Sequence, residues 1–322
     1  MLYLNEQHLQ DVGIDWSSLV DVIEAAVRCL GNNDFAQPVK PYLRYRDLKN
    51  RIIAMPAFIG GDFDIAGIKW IASFPDNIHK GIPRAHSVVV LNKAETGEPV
   101  AIINTALLSI LRTAAVTGLM IRYFDKVRPI KNAKLAVIGW GPIGQYHLRM
   151  VMNLFAEKIT RIFLYDLRPI DKAVIDFAPR DKIVVTENWQ QAYEDTDVFI
   201  TATVSSAAYI DLPPKKGSLQ LNISLRDYKT DIYNYVKGSI IVDNWEEICR
   251  EKTDVEMMHL EKGLLKDQTK SIADMVMDNC MADYPPDAPV MFNPMGMAVF
   301  DMALGCYFLN KARKMGIGQE LK

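Results

Sequence analysis

Apolar residues recur along this chain with two different rhythms, and the change between them falls near residue 130. In the first part, Leu19, Val22, Ile23, Ala26, Val27 and Leu30 fall on one face at helical spacing, which predicts a helix over 16–30. Residues 51–59 and 67–72 read as strands, and 87–91 (SVVVL) is a third. A turn at Glu95-Thr96-Gly97-Glu98 leads into another strand over 99–103. Strands joined in this way predict an antiparallel sheet. Residues 105–123 then read as a long apolar helix, capped by Asn104 or Thr105, and Pro129 marks a boundary.

From Lys134 onward, short apolar runs alternate with helical segments. Strands are expected at 135–139, 161–165, 182–185, 198–203, 218–222 and 240–242. That alternation predicts βαβ units, a parallel sheet and an α/β fold. The stretch after Tyr284, PPDAPVMFNPMG, reads as a proline-rich connection, and 296–315 as an apolar helix that either extends the second part or returns to the first.

The first of these runs feeds into Gly139-Trp140-Gly141-Pro142-Ile143-Gly144. Strand, glycine turn and helix are the context in which such a motif cradles a dinucleotide; otherwise it is a tight turn that binds nothing. Gly139 allows the turn, Gly141 lets a pyrophosphate approach the backbone, and Gly144 lets helix and strand pack closely. The next strand ends on Asp166, 22 residues after Gly144. A carboxylate there accepts from a ribose 2′-hydroxyl and repels a 2′-phosphate, favouring NAD over NADP, a preference that Arg168 softens.

Composition narrows the partners. The 322 residues are 49% hydrophobic and 24% charged, as in ordinary globular chains with room for two cores. A net charge of −2 without a basic block argues against nucleic acid and membrane surfaces. No apolar run approaches the length of a membrane span and the first residues lack signal-peptide character, so a cytoplasmic protein is expected. Cys29, Cys249, Cys280 and Cys306 are scattered, and neither they nor the five histidines show metal-ligand spacing. No metal is expected.

Several charged residues sit in unusual company. Lys69, in the apolar strand Gly67-Ile68-Lys69-Trp70-Ile71, is either at an edge with its ammonium in water or buried and paired, where it could serve as an acid–base group. Arg112, mid-helix in Leu-Arg-Thr-Ala-Ala, suits bidentate capture of a carboxylate or lies on an exposed face. Arg44 and Arg84 are anion clamps or surface residues. Asp227 follows a strand of the second part, where a general base is needed or where a loop aspartate simply lies. Asn293-Pro294-Met295-Gly296 is an apolar loop in which glycine permits close approach.

Taken together, Gly67-Ile68-Lys69, Leu111 to Ala115, the 137–144 turn, Asp227 and Gly296-Met297-Ala298-x-x-Asp301 resemble the ornithine cyclodeaminase/mu-crystallin family nearly end to end. The resemblance implies a substrate and dimerisation domain built from 1–112 and 295–322, around a Rossmann NAD-binding domain at 113–294. It implies that Arg44, Lys69 and Arg112 hold a substrate α-carboxylate and that Asp227 activates water or shuttles protons. It assigns Thr113, Pro142, Ile143, Thr203, Ser224, Met295 and Gly296, with the three motif glycines and Asp166, to the cofactor, and it implies a homodimer.

A finer likeness runs through residues 34–44, 51–56, 67–71 and 293–298, which resemble the branch of the family that forms 2,3-diaminopropionate for siderophores. Arg84 after Gly81-Ile82-Pro83 stands where cyclodeaminases carry a small polar residue. With Arg44, Arg112 and Lys40 it suits a small substrate bearing several carboxylates and fits poorly beside the terminal ammonium of ornithine. Lys40 is alternatively a surface lysine. The rival readings are a cyclodeaminase that recycles NAD, an amino-acid dehydrogenase or ketimine reductase, and a non-catalytic nucleotide-binding protein.

Overall fold

The computed structural model describes residues Met1–Lys322 as two compact units, Met1–Ala115 with Gly296–Lys322, and Val116–Met295. The chain opens with β1 (Leu2–Asn5), α1 (Glu6–Val12), α2 (Trp16–Gly31), β2 (Phe35–Ala36), β3 (Tyr42–Leu43), β4 (Arg51–Ile59), β5 (Ile65–Ser73), β6 (Ala85–Lys93), β7 (Pro99–Asn104) and α3 (Leu107–Val127). The middle portion runs β8 (Ala133–Ile138), α4 (Pro142–Phe155), β9 (Ile159–Tyr165), β10 (Ile183–Val185), α5 (Trp189–Tyr193), β11 (Val198–Thr201), β12 (Leu219–Asn222), α6 (Tyr233–Val236) and β13 (Ile240–Val242). It continues with α7 (Trp245–Ile248), α8 (Asp254–Lys262), β14 (Thr269–Ser271), α9 (Ile272–Asp278) and β15 (Val290–Asn293), and α10 (Ala298–Met315) and β16 (Gln319–Glu320) close the chain.

The first unit is a sheet in the order β16-β1-β7-β6-β5-β4-β2, with β3 also on β4. Strands β4 to β7 pair antiparallel as their alternation predicts, but β1 runs parallel to β7, so the sheet is mixed. Side chains of a strand alternate between faces, so the register puts Met55, Lys69, Val89 and Ile103 in one row across four strands. All four are buried. Helix α10 covers this face and packs on α2, whose N-cap is the Asp15 carboxylate accepting from the Ser18 N–H. Thus the last helix does return to the first unit. Gly67 is required there, because a Cβ would lie 2.2 Å from the Val90 carbonyl and 2.7 Å from the Met302 sulfur.

The second unit is a sheet in the order β10-β9-β8-β11-β12-β15-β13-β14, parallel throughout. The order reverses between β8 and β11, and ligands of such sheets bind at that switch, beyond the carboxyl ends of the strands. Strands β11, β12 and β15 are buried at every residue, as the interior of a parallel sheet requires. Strand β15 corrects the sequence reading: Val290–Asn293 lies inside the stretch taken for a connection, between Pro289 and Pro294. Neither proline interrupts it, because both stand outside its ends. Helix α3 has the length and hydropathy of a membrane span, although no single run in the sequence signalled one, and 78% of its most apolar window is buried.

Candidate active site

The carboxyl ends of the central strands of the second unit lie level, with Ile138, Thr201 and Asn222 in register and Asn293 beside them. Just beyond Ile138 comes the glycine turn. Gly139 has φ 93°, and a Cβ there would meet the Ala202 carbonyl at 2.4 Å. Gly144 packs so closely that its Cβ would stand 2.0 Å from the Gly139 carbonyl. Gly141, by contrast, has nothing within 4 Å of an added Cβ. The turn is therefore closed where it meets its own sheet and open above Gly141, which caps α4 with Pro142 in the first turn. The unpaired N–H groups of that helix end suit a pyrophosphate in the open space. Asp166 follows the last residue of β9, with one oxygen accepting the Trp140 N–H at 2.7 Å and the other the Arg168 N–H at 2.9 Å and its Nε at 3.3 Å. Two backbone bonds and the guanidinium hold its carboxyl below the usual range, outweighing partial burial.

Asp227 is fully buried. Thr203 donates its hydroxyl to Oδ1 and Ser224 to Oδ2, both in very close contact. These two residues are part-exposed while Asp227 is not. The loop that carries Asp227 is fixed from below. Asn222 accepts from Leu225 N–H at 3.0 Å, and Leu225 adopts a left-handed φ of 67°. Asn222 Nδ2 donates to Asn293 Oδ1 at 2.8 Å and to Asp254 Oδ2 at 2.9 Å. Asp254 Oδ2 also takes the N–H groups of Asp227 and Tyr228. Burial pushes Asp254 up to about 7, and the charge of Asp227 adds to that. Sequence reasoning missed Asp254 and the Asn222–Asn293 pair, because buried amides and a first-turn helix aspartate leave no mark in hydrophobic periodicity.

The first unit assembles the cations. Lys69 is 1% exposed, and its Nζ donates to Asp301 Oδ1 at 2.9 Å and to the Ser109 hydroxyl at 2.7 Å. This resolves the two readings of Lys69 in favour of the buried pair. Arg112, also buried, directs Nε to the same Asp301 oxygen at 3.4 Å. Lys40 is buried too, donating to the Gly296 carbonyl at 2.8 Å, so it is not a surface lysine. Gly296, at φ 92°, leaves room for Arg112, whose Nη1 a Cβ would meet at 3.0 Å. Desolvation brings Lys69 down to about 8, opposed by Asp301 and assisted by the charges of Arg112 and Lys40. Arg44 lies on the neighbouring loop, donating to the Leu48 carbonyl at 2.9 Å above the Tyr42 ring. Arg84 is part-buried and its carbonyl accepts from Phe74 N–H. Thr113 donates its hydroxyl to the Ser109 carbonyl one turn back in α3, at 2.8 Å. Met295, part-buried at the end of the second unit, gives its N–H to Asp243 at 3.0 Å. No cluster of three potential metal ligands is present.

Comparison with known proteins agrees with this architecture. Residues 6–213 match the model of the ornithine cyclodeaminase/mu-crystallin family. The chain is 34% identical over 338 residues to the N-((2S)-2-amino-2-carboxyethyl)-L-glutamate dehydrogenase of Staphylococcus aureus (strain NCTC 8325 / PS 47), covering 100% of this chain and 98% of that one. It is 24% identical over 331 residues to the alanine dehydrogenase of Archaeoglobus fulgidus, covering 100% and 98% of the two. The solved structure of Thermococcus litoralis Δ1-pyrroline-2-carboxylate reductase with NADH and L-proline shares the fold, with a TM-score of 0.87, 21% identity and full coverage of both chains.

Proposed function

The chain belongs to the ornithine cyclodeaminase/mu-crystallin family, and on that premise we propose that it is an NAD-dependent oxidoreductase acting on the CH–NH group of an amino-acid derivative. Its substrate in this reading is N-(2-amino-2-carboxyethyl)-L-glutamate, cleaved with water to 2-oxoglutarate and L-2,3-diaminopropionate. The observation that carries the choice of substrate is the buried pair of Lys69 and Arg112 sharing the carboxylate of Asp301, with Lys40 buried close enough to act on Lys69, which makes this pocket of the first unit cationic. A substrate with three carboxylates answers that charge, whereas the terminal ammonium of ornithine would add to it.

The open space above Gly141 and the free helix end fit the pyrophosphate of NAD, and Asp166 suits its adenosine ribose. When bound, NAD⁺ would supply the acceptor for a hydride from the glutamate α-carbon. Lys69 and Arg112 hold the α-carboxylate, and such positioning supplies much of the rate. The imine left on the substrate is attacked by water, whose proton passes to Asp227 through the Thr203 or Ser224 hydroxyl. That proton then passes to the amine nitrogen as the carbinolamine collapses, so that the C–N bond breaks and both products leave. The pathway we infer is siderophore or antibiotic supply in the cytoplasm. We also infer a homodimer, formed through the open sheet face where Trp70 is exposed and Pro56, Ile68, Val88 and Val90 stand part-exposed. Light scattering of the protein and of Trp70→Glu tests that assembly.

Absorbance of NADH, followed with purified protein, NAD⁺ and the glutamate adduct, with ornithine and lysine in parallel, tests the reaction. Stoichiometric NADH together with 2-oxoglutarate supports it. Loss of ornithine or lysine with ammonia and no net NADH would identify a cyclodeaminase instead.

A further inference from the structure

We propose that Asp301 is a positioning residue that keeps Lys69 an ammonium ion and fixes it beside Arg112, so that the two cations present a single anion-binding edge. The geometry is unequal in an informative way. Asp301 Oδ1 takes both Lys69 Nζ, at 2.9 Å, and Arg112 Nε, at 3.4 Å. Its other oxygen is buried and has no hydrogen-bond partner. A carboxylate placed for hydrogen-bond economy would use both oxygens; here it is the charge, shared at one atom, that joins β5 to α3 and α10.

The surroundings of Lys69 make that charge necessary. Alongside Lys69 in the sheet lie the buried side chains of Met55 and Val89, which offer no polar atom. From α3 come the neutral Ser109 hydroxyl and the Arg112 guanidinium, and from the segment before β3 comes Lys40. Asp301, on α10, is the carboxylate that faces it. A fully buried lysine between two cations loses its proton unless an anion opposes them. A neutral amine would still make hydrogen bonds, but it would present no charge to a carboxylate, and Arg112 would meet that anion without Lys69 beside it. The use of that charge in substrate binding rests on the reading given above; the bridge itself does not.

The test is a carbon NMR titration of protein labelled with [ε-¹³C]lysine, the Lys69 resonance being identified by its absence in Lys69→Met. The wild-type midpoint should lie at about 8. In Asp301→Asn, which keeps an acceptor oxygen but not the charge, it should fall by about one pH unit or more. In Arg112→Gln it should rise. An unmoved midpoint in Asp301→Asn overturns the proposal, and if that variant does not fold, an unmoved or lowered midpoint in Arg112→Gln does so. The same samples separate this inference from the proposed reaction. A protein that turns over none of the amino acids tried, yet shows both shifts, refutes the substrate and leaves the bridge standing.

Discussion

Asp254 Oδ2 accepts the backbone N–H of Asp227 at 3.1 Å, so one buried carboxylate holds the main chain that carries another. Burial, joined by the charge of Asp227, raises Asp254 from 3.8 to about 7. Between those values the folded protein keeps a proton that the unfolded chain has released, so this group makes stability fall as pH rises through the window. Asp254→Asn mimics the protonated acid and removes that slope. The stability of wild type relative to Asp254→Asn should decline by on the order of 3 kcal/mol between pH 4 and 7, read from urea unfolding. A difference that is the same at both ends would show that Asp254 does not titrate there.

The motif glycines separate folding from binding. Gly144→Ala drives a methyl against the Gly139 carbonyl, and backbone cannot step aside as a side chain does. It should lower stability by about 1–3 kcal/mol. Gly141→Ala meets no atom within 4 Å and has an ordinary φ of −76°, so unfolding should change by less than about 0.5 kcal/mol. Its methyl instead fills the space read as the pyrophosphate site, and NADH affinity, followed by fluorescence, should drop at least tenfold. Wild-type affinity in Gly141→Ala would place the dinucleotide elsewhere.

Asp166 offers a second handle on the cofactor. Its carboxylate caps Trp140 N–H and holds Arg168. Asp166→Ser removes the repulsion toward a 2′-phosphate and frees Arg168 to meet one. The ratio of kcat/KM with NAD to that with NADP should fall by about tenfold or more, roughly 1.4 kcal/mol of discrimination. Unchanged preference would mean that Asp166 serves the turn and not the ribose.

His147 predicts the acid limb. Its Nε2 meets the Thr117 hydroxyl at 2.9 Å and its Nδ1 the Ile143 carbonyl at 2.7 Å, with no room for solvent. Burial lowers it from 6.5 to about 4. The unfolded chain therefore takes up a proton that the folded one refuses, and stability is lost as pH falls from 6.5 toward 4. The loss from this residue is roughly 3 kcal/mol, and His147→Gln should flatten it in denaturant titrations across that range.

How far the sequence could be read depended on what each position spends its side chain on. The glycine turn, the parallel α/β unit and the central antiparallel strands were legible because periodicity and glycine spacing report burial and turn geometry directly. Strand β1 was not, since its four residues are too short a run for alternation to mark them. Strand β15 hid behind its flanking prolines, which mark loops more often than strand ends. Lys69 and Arg112 were singled out from their residue types and company, and Lys40 only through the family resemblance, but the sequence could not tell a buried lysine from an edge one. Asp301 was noticed as part of a motif without a task, and its task depends on a partner 232 residues away in the chain.

The discontinuity of the first unit bears on how a ribosome delivers this protein. Residues 116–295 form a complete unit and need nothing from either end to close their sheet. The strands synthesised before them must wait for α10 to cover their inner face and for β16 to pair with β1. Until α10 and β16 emerge, the row of Met55, Val89 and Ile103 and the charge of Lys69 have no lid. During that interval the oldest part of the nascent chain is the least finished, and it is there that a chaperone holding apolar strands would have to act.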